Sequence, residues 1–208
     1  MGQEIEIKLE LAQSDRRRFM RHPLLQTAIK RTDQILDNAY FDTPQLELRK
    51  HGIALRIRRQ GRRRLQTVKL AGKAVNGLSS RPEWEVPYVG RFDFSCIEVA
   101  EVKAWLERPE IFNEIEPLFR TKFRRITWHL PLAAGGEVLV ALDRGEVSVA
   151  DRSVAISEVE LELYNSNDLQ ALNAVSDTLR QRIPLVPSNV SKSERAYQLM
   201  KTVTLASR

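Results

Sequence analysis

The run Glu158-Val159-Glu160-Leu161-Glu162-Leu163 alternates carboxylate and aliphatic side chains without a break. In an extended strand, residues two apart share a face. Glu158, Glu160 and Glu162 therefore point one way, and Val159, Leu161 and Leu163 the other. Like charges on neighbouring rungs of one face repel, so such a triplet calls for counter-charge from outside its own strand. The same partition recurs along the chain. Glu4, Glu6 and Lys8 oppose Ile5, Ile7 and Leu9; Arg56 and Arg58 oppose Leu55 and Ile57; Lys69 follows Thr67 and Leu65. Arg81, Glu83 and Glu85 share a face opposite Trp84 and Val86, and Asp143 follows Ala141 with Val140 and Leu142 opposite.

One such strand is an ordinary sheet with a wet face. Several together suggest that the charged faces converge, an acidic set (Glu4, Glu6, Glu83, Glu85, Asp143, Glu158, Glu160, Glu162) meeting a basic set (Lys8, Arg56, Arg58, Lys69, Arg81). A closed barrel with a charged, water-filled lumen and an apolar outside covered by helices does this, and closure removes exposed edges. The expected class is α+β, mainly antiparallel β, as one barrel domain over residues 1–208.

Period-two alternation and turn residues predict strands over 3–11, 35–42, 52–60, 64–71, 82–89, 122–131, 137–143, 146–150 and 154–164. Gln60-Gly61, Gly135-Gly136 and Arg144-Gly145 read as hairpin turns. Short helices are expected after Ser14, from Ser95 to about Glu107, and after Pro109. Leu169, Leu172, Val175 and Leu179 make 165–183 the strongest helix, ended by Pro184 and Pro187. Ser191-Lys192-Ser193-Glu194 has the form of a capping box opening a last helix, so the C-terminal helices occupy about 165–203.

The 208 residues carry 33 Lys+Arg against 27 Asp+Glu, a net charge of +6. With 42% hydrophobic residues, full disorder is excluded. No apolar run approaches the ~18 residues of a membrane helix. The acidic start, Gln3-Glu4-Ile5-Glu6, is unlike a signal peptide, and a single cysteine, Cys96, excludes an intrachain disulfide. A cytoplasmic location is expected. The arginine run 58–64 reads as a solvated hairpin tip rather than a nucleic-acid platform, because no aromatic residues interleave with it.

Arginine forks and lysines converging from several strands suit a polyanion. Carboxylate clusters suit hard divalent cations. Both in one lumen fit a metal-chelated polyphosphate, whereas a ligand-free salt-bridge network would be a poor stabiliser.

With these residues in view, the chain resembles the CYTH superfamily, the triphosphate tunnel metalloenzymes. Glu4-x-Glu6-x-Lys8 resembles the family's opening signature. Leu55-Arg56-Ile57-Arg58, Thr67-Val68-Lys69, Arg81-Pro82-Glu83-x-Glu85, Arg125, Leu142-Asp143-Arg144-Gly145-Glu146, Glu158 to Glu162 and Ser191-Lys192 follow in the family's order. The resemblance implies an eight-stranded antiparallel tunnel binding triphosphate with Mg2+ or Mn2+. It implies phosphate binding by Lys8, Arg56, Arg58, Lys69, Arg81, Arg125 and Lys192. Glu4, Glu6, Asp143, Glu158, Glu160 and Glu162 are implied to hold metal or orient its water. Glu4, Glu6, Lys8, Glu160 and Lys192 are the implied catalytic group, with Lys192 and Arg195 on a plug at one tunnel end. The stretch Gly77-Leu78-x-x-Arg81-Pro82-Glu83 is most similar to bacterial inorganic triphosphatases, many of which carry a second, histidine-rich helical domain; only His22, His51 and His129 occur here, so that domain is not expected.

The implied activity is hydrolysis of tripolyphosphate to pyrophosphate and phosphate. The competing readings are an adenylate cyclase or a thiamine triphosphatase of the same superfamily, and a non-enzymatic module binding polyphosphate or RNA. The substrate partner is a small triphosphate; an apolar barrel exterior is compatible with a homodimer.

Overall fold

A computed structural model describes residues 2–206. In chain order the elements are β1 (Gly2–Leu11), α1 (Arg16–Met20), β2 (Lys30–Asp42), α2 (Glu47–Lys50), β3 (Ile53–Gln60), β4 (Arg63–Leu70), β5 (Lys73–Val75) and β6 (Leu78–Pro87). They continue as α3 (Ala100–Leu106), α4 (Pro109–Phe112), β7 (Glu116–Pro131), β8 (Glu137–Val149), β9 (Arg152–Tyr164), α5 (Leu169–Arg180), β10 (Leu185–Pro187) and α6 (Lys192–Ala206). The strand order is β10-β1-β9-β8-β7-β2-β3-β4-β6-β5, and β1 also pairs with β6. That last pairing, Gly2↔Glu83 through Ile7↔Leu78, closes eight antiparallel strands into a barrel. The three-residue strands β5 and β10 lie outside the ring, on β6 and β1.

The alternation that predicts the fold also distributes its core. Ile7, Leu9, Val140, Leu142, Val159 and Leu161 face outward and are buried by Phe19 of α1, Leu172 and Leu179 of α5, and Leu25. On the far side Leu55, Val68 and Trp84 are covered by Leu106 of α3 and Ile111 of α4, with Phe94 and Ile97. The barrel is thus coated rather than filled.

The inner face is not charged throughout. Leu36, Tyr40, Phe119, Phe123, Val147 and Ile156 pack with Ala196 and Tyr197 of α6. By strand period these residues share the faces of Arg125, Asp143 and Glu158, so α6 closes one end of the barrel on an apolar cuff. Tyr197 donates a hydrogen bond of 3.0 Å to Asp42, whose carboxylate also accepts the N–H groups of Thr43, Leu48 and Arg49. Arg49 stacks 4.1 Å from the Tyr197 ring centre and pairs with Glu194 at 3.2 Å. No described helix is long and apolar enough to cross a membrane.

Several boundaries differ from the sequence expectation. The turn expected at Arg144-Gly145 is absent: β8 is continuous, and Gly145 pairs with Phe123 and Ile156. A Cβ at Gly145 would lie 2.1 Å from the Lys122 carbonyl oxygen, so glycine serves a close approach of two strands. The chain reverses instead at Ala150, which takes φ 49°. β2 and β7 begin earlier than expected, at Lys30 and Glu116, and ion pairs such as Arg124–Asp33 hold their charged outer faces together. The helix expected over 165–183 spans Leu169–Arg180, capped by Asp168 accepting from Ala171 N at 2.9 Å. The helix expected from Ser95 is confined to Ala100–Leu106. Ser191 caps α6 by accepting from Glu194 N at 3.0 Å, but the Glu194 side chain turns to Arg49 instead of completing the box.

Candidate active site

A cavity of about 990 Å³ runs through the barrel from Ser191–Ser193 at the α6 end to Tyr164–Asn167 at the other. The ladder brings the charged residues into it in successive rows. Glu6 pairs with Glu162 and Lys8 with Glu160 across β1 and β9; Lys69 pairs with Glu83 across β4 and β6; Glu4 pairs with Arg81 across β1 and β6. The lining includes Glu4, Glu6, Lys8, Arg56, Arg58, Lys69, Arg81, Arg125, Glu160, Glu162 and Lys192. All these are sequence-predicted site residues. Asp143 and Glu158 lie beneath them, fully buried.

Two layers of charge result. In the lower layer, Lys192 Nζ stands 2.7 Å from Asp143 and 2.8 Å from Glu160, and also bonds Glu158. Arg125 grips Asp143 through two hydrogen bonds, 2.7 and 2.6 Å, and bonds Glu160. Arg195 Nη2 lies 2.6 Å from Glu158 Oε2, although without hydrogen-bond alignment. Against the opposing pull of burial, Lys192, Arg125 and Lys8 hold the Glu160 carboxyl well below the ordinary range.

In the upper layer, Glu4 accepts from Lys69 at 2.6 Å and from Arg81 at 2.7 Å. Burial opposes its ionisation, but these two cations outweigh burial and hold it low. Arg81 also reaches Glu6 at 3.1 Å, yet the Glu6 carboxyl is pushed up, first by burial and then by Glu160 and Glu4. Glu162 has no ion-pair partner among the described residues; burial, then Glu4, pushes it up to about 7. Burial is the first cause for both carboxyls, and neighbouring carboxylates add to it.

Glu4, Glu6, Glu160 and Glu162 offer oxygen donors of the kind a hard divalent cation takes, but among the described residues they are not drawn into one cluster. Oxygens of Asp143, Glu158 and Glu160 do lie within 4.8 Å of one another, but the Lys192 ammonium sits among them.

Opposite the carboxylates stand Arg56 and Arg58. Arg56 reaches Glu83 only at 3.5 Å, and its Nε is buried without a hydrogen-bond partner. Arg58 has no carboxylate partner among the described residues; its one hydrogen bond is to Asn38. Burial, then Arg56 and Arg125, pushes Arg58 down to about 10. Neither Tyr40, whose ring stacks on Phe119, nor Asn38 stands out in the sequence, because neither carries charge. Their even positions in β2 are the one signal that would place them inside the barrel.

The CYTH domain profile matches residues 2–197. An inorganic triphosphatase from Haemophilus influenzae is 30% identical over 199 residues, covering 96% of this chain and 55% of that protein. The chain therefore spans about half the length of this curated relative. A protein from Hippeastrum, described as an adenylyl cyclase candidate with a dominant triphosphatase activity, superposes with a TM-score of 0.63 at 20% identity, covering 94% of this chain and 95% of its own. A Bacillus halodurans protein described as an adenylate cyclase candidate gives 0.57 at 19% identity, covering 87% and 90%. At such identities these two structures speak for the shared fold. With the profile match covering nearly its whole length, the chain belongs to the CYTH domain family.

Proposed function

We propose that the barrel is a metal-dependent triphosphatase cleaving inorganic tripolyphosphate to pyrophosphate and phosphate. The observation that carries this reading is Arg58, half-buried beside Arg56 and Arg125 with no carboxylate in ion-pair contact among the described residues. Three guanidinium groups crowded in one lumen repel, and the arrangement is relieved by an anion with several oxygens. The triphosphatase relative supports the choice of a phosphoanhydride.

In this reading Arg56, Arg58 and Arg125 grip phosphate oxygens from one side, and Lys8, Lys69 and Arg81 from the other. They hold the chain of phosphates in line for attack of water on a terminal phosphorus. The P–O bond to the bridging oxygen breaks, one proton of water is released, and the charge growing on the leaving pyrophosphate is met by the fixed guanidinium groups. Glu4, Glu6, Glu160 and Glu162 would hold the metal. A divalent ion, Mg2+ or Mn2+, supplies neutralisation of phosphate charge and activation of the water. Asp143 and Glu158 keep Lys192 at the lumen floor. The test is phosphate release from tripolyphosphate, ATP and thiamine triphosphate with each metal. Faster turnover of tripolyphosphate supports the reading, and cyclic AMP formed from ATP would favour the cyclase instead.

A further inference from the structure

Arg58, Asn38 and Thr121 form one row across β3, β2 and β7: Asn38 is the ladder partner of both. Asn38 and Thr121 are fully buried. Asn38 Nδ2 donates to Thr121 Oγ1 at 2.9 Å and to the Thr121 carbonyl at 3.3 Å. Its Oδ1 accepts from Arg58 Nε at 2.8 Å. A guanidinium can only donate, so the amide orientation is fixed by its partners. The other tunnel cations are held differently. Arg81 is held by Glu4 and Glu6, Arg125 by Asp143 and Glu160, and even Arg56 faces Glu83. Among the described residues, Arg58 alone of the tunnel arginines has no carboxylate in ion-pair contact, and it is aimed by a neutral amide.

We propose that Asn38 is a positioning residue that orients Arg58 through an uncharged clamp, leaving the whole guanidinium charge for a phosphate of the substrate. An aspartate would keep an acceptor for Arg58 but neutralise it, and would lose the donation to the Thr121 carbonyl. The inference rests on the anion-binding reading of the tunnel.

The experiment compares wild type, Asn38→Asp, Arg58→Ala and the double variant. Metal-free tripolyphosphate binding is followed by calorimetry, steady-state kinetics are measured with Mg2+, and thermal unfolding without ligand serves as a folding control. Below its unfolding temperature, Asn38→Asp is expected to bind tripolyphosphate about 10- to 100-fold more weakly, the worth of one charge-assisted contact, with KM raised in step. In the Arg58→Ala background the same change is expected to alter affinity less than about twofold, because the two act as one unit. Wild-type affinity in Asn38→Asp, with affinity lost in Arg58→Ala, overturns the role of Asn38 alone. Wild-type affinity in Arg58→Ala overturns the anion-binding reading beneath it. Should Asn38→Asp not fold, Asn38→Ala decides the matter: charge stays while aim is lost, so affinity is expected within about threefold of wild type while kcat falls about tenfold. An unchanged kcat there overturns the proposal.

Discussion

Lys192 Nζ lies 2.7 Å from Asp143 Oδ2, joining the first residue of α6 to the middle of β8. Asp143 is fully buried, and so is Glu158, which shares the same ammonium. The plug is therefore fastened twice, by this ionic knot and by the apolar cuff around Tyr197. Lys192→Ala would leave two buried carboxylates with only Arg125 and Arg195 for support. Breaking a buried pair from one side costs about 3–5 kcal/mol. Urea denaturation should show a loss of that order, and an unchanged midpoint would mean that the knot adds nothing.

Glu6→Gln and Glu160→Gln should each lower metal-dependent turnover by about 100-fold or more, the scale expected when a metal's ligand shell is damaged. Circular dichroism should be unchanged. Arg63→Ala, at the exposed tip of the β3–β4 hairpin, should leave turnover as it is.

Glu162 supplies a pH signature. Its folded carboxyl sits at about 7 against 4.5 for an ordinary one, so the folded chain holds this proton more tightly than the unfolded chain. The stabilisation is complete below pH 4.5 and disappears as pH rises through 7. Glu162→Gln should therefore melt above wild type at pH 8 and level with it near pH 4.5, both without metal. Saturating Mg2+ should narrow the gap at pH 8. A gap that does not vary with pH would contradict the assignment.

Gly145→Ala tests the continuous β8. The added methyl meets the Lys122 carbonyl at 2.1 Å and Phe123 Cα at 2.5 Å, both backbone. A destabilisation of about 1–3 kcal/mol is expected from forced strand separation. An unaltered melting curve would speak against the close approach.

The barrel was legible because charge and aliphatic residues alternate with period two, and a closed lumen gives residues such as Glu158 and Glu160 their counter-ions. The lysines and arginines of the lumen announced themselves for the same reason. Asn38 and Tyr40 did not: being uncharged, they are hidden among ordinary strand residues. The depth of each carboxylate was equally hidden. Glu158 and Glu162 look alike in sequence, yet one lies under Lys192 and the other is unpaired, a difference set by where α6 docks. Gly145 misled because glycine marks both turns and close strand approaches. β5 and β10 are three-residue strands whose pairing is imposed by β6 and β1 rather than by their own pattern.

The measurement closest to the central claim is the product balance of tripolyphosphate hydrolysis, followed by phosphorus NMR with and without Mg2+ or Mn2+. Metal-dependent appearance of pyrophosphate and orthophosphate in equal amounts is expected, lost in Arg58→Ala and in Glu160→Gln. Tripolyphosphate left intact by the wild-type protein with either metal, or cleaved equally well by both variants, would contradict it.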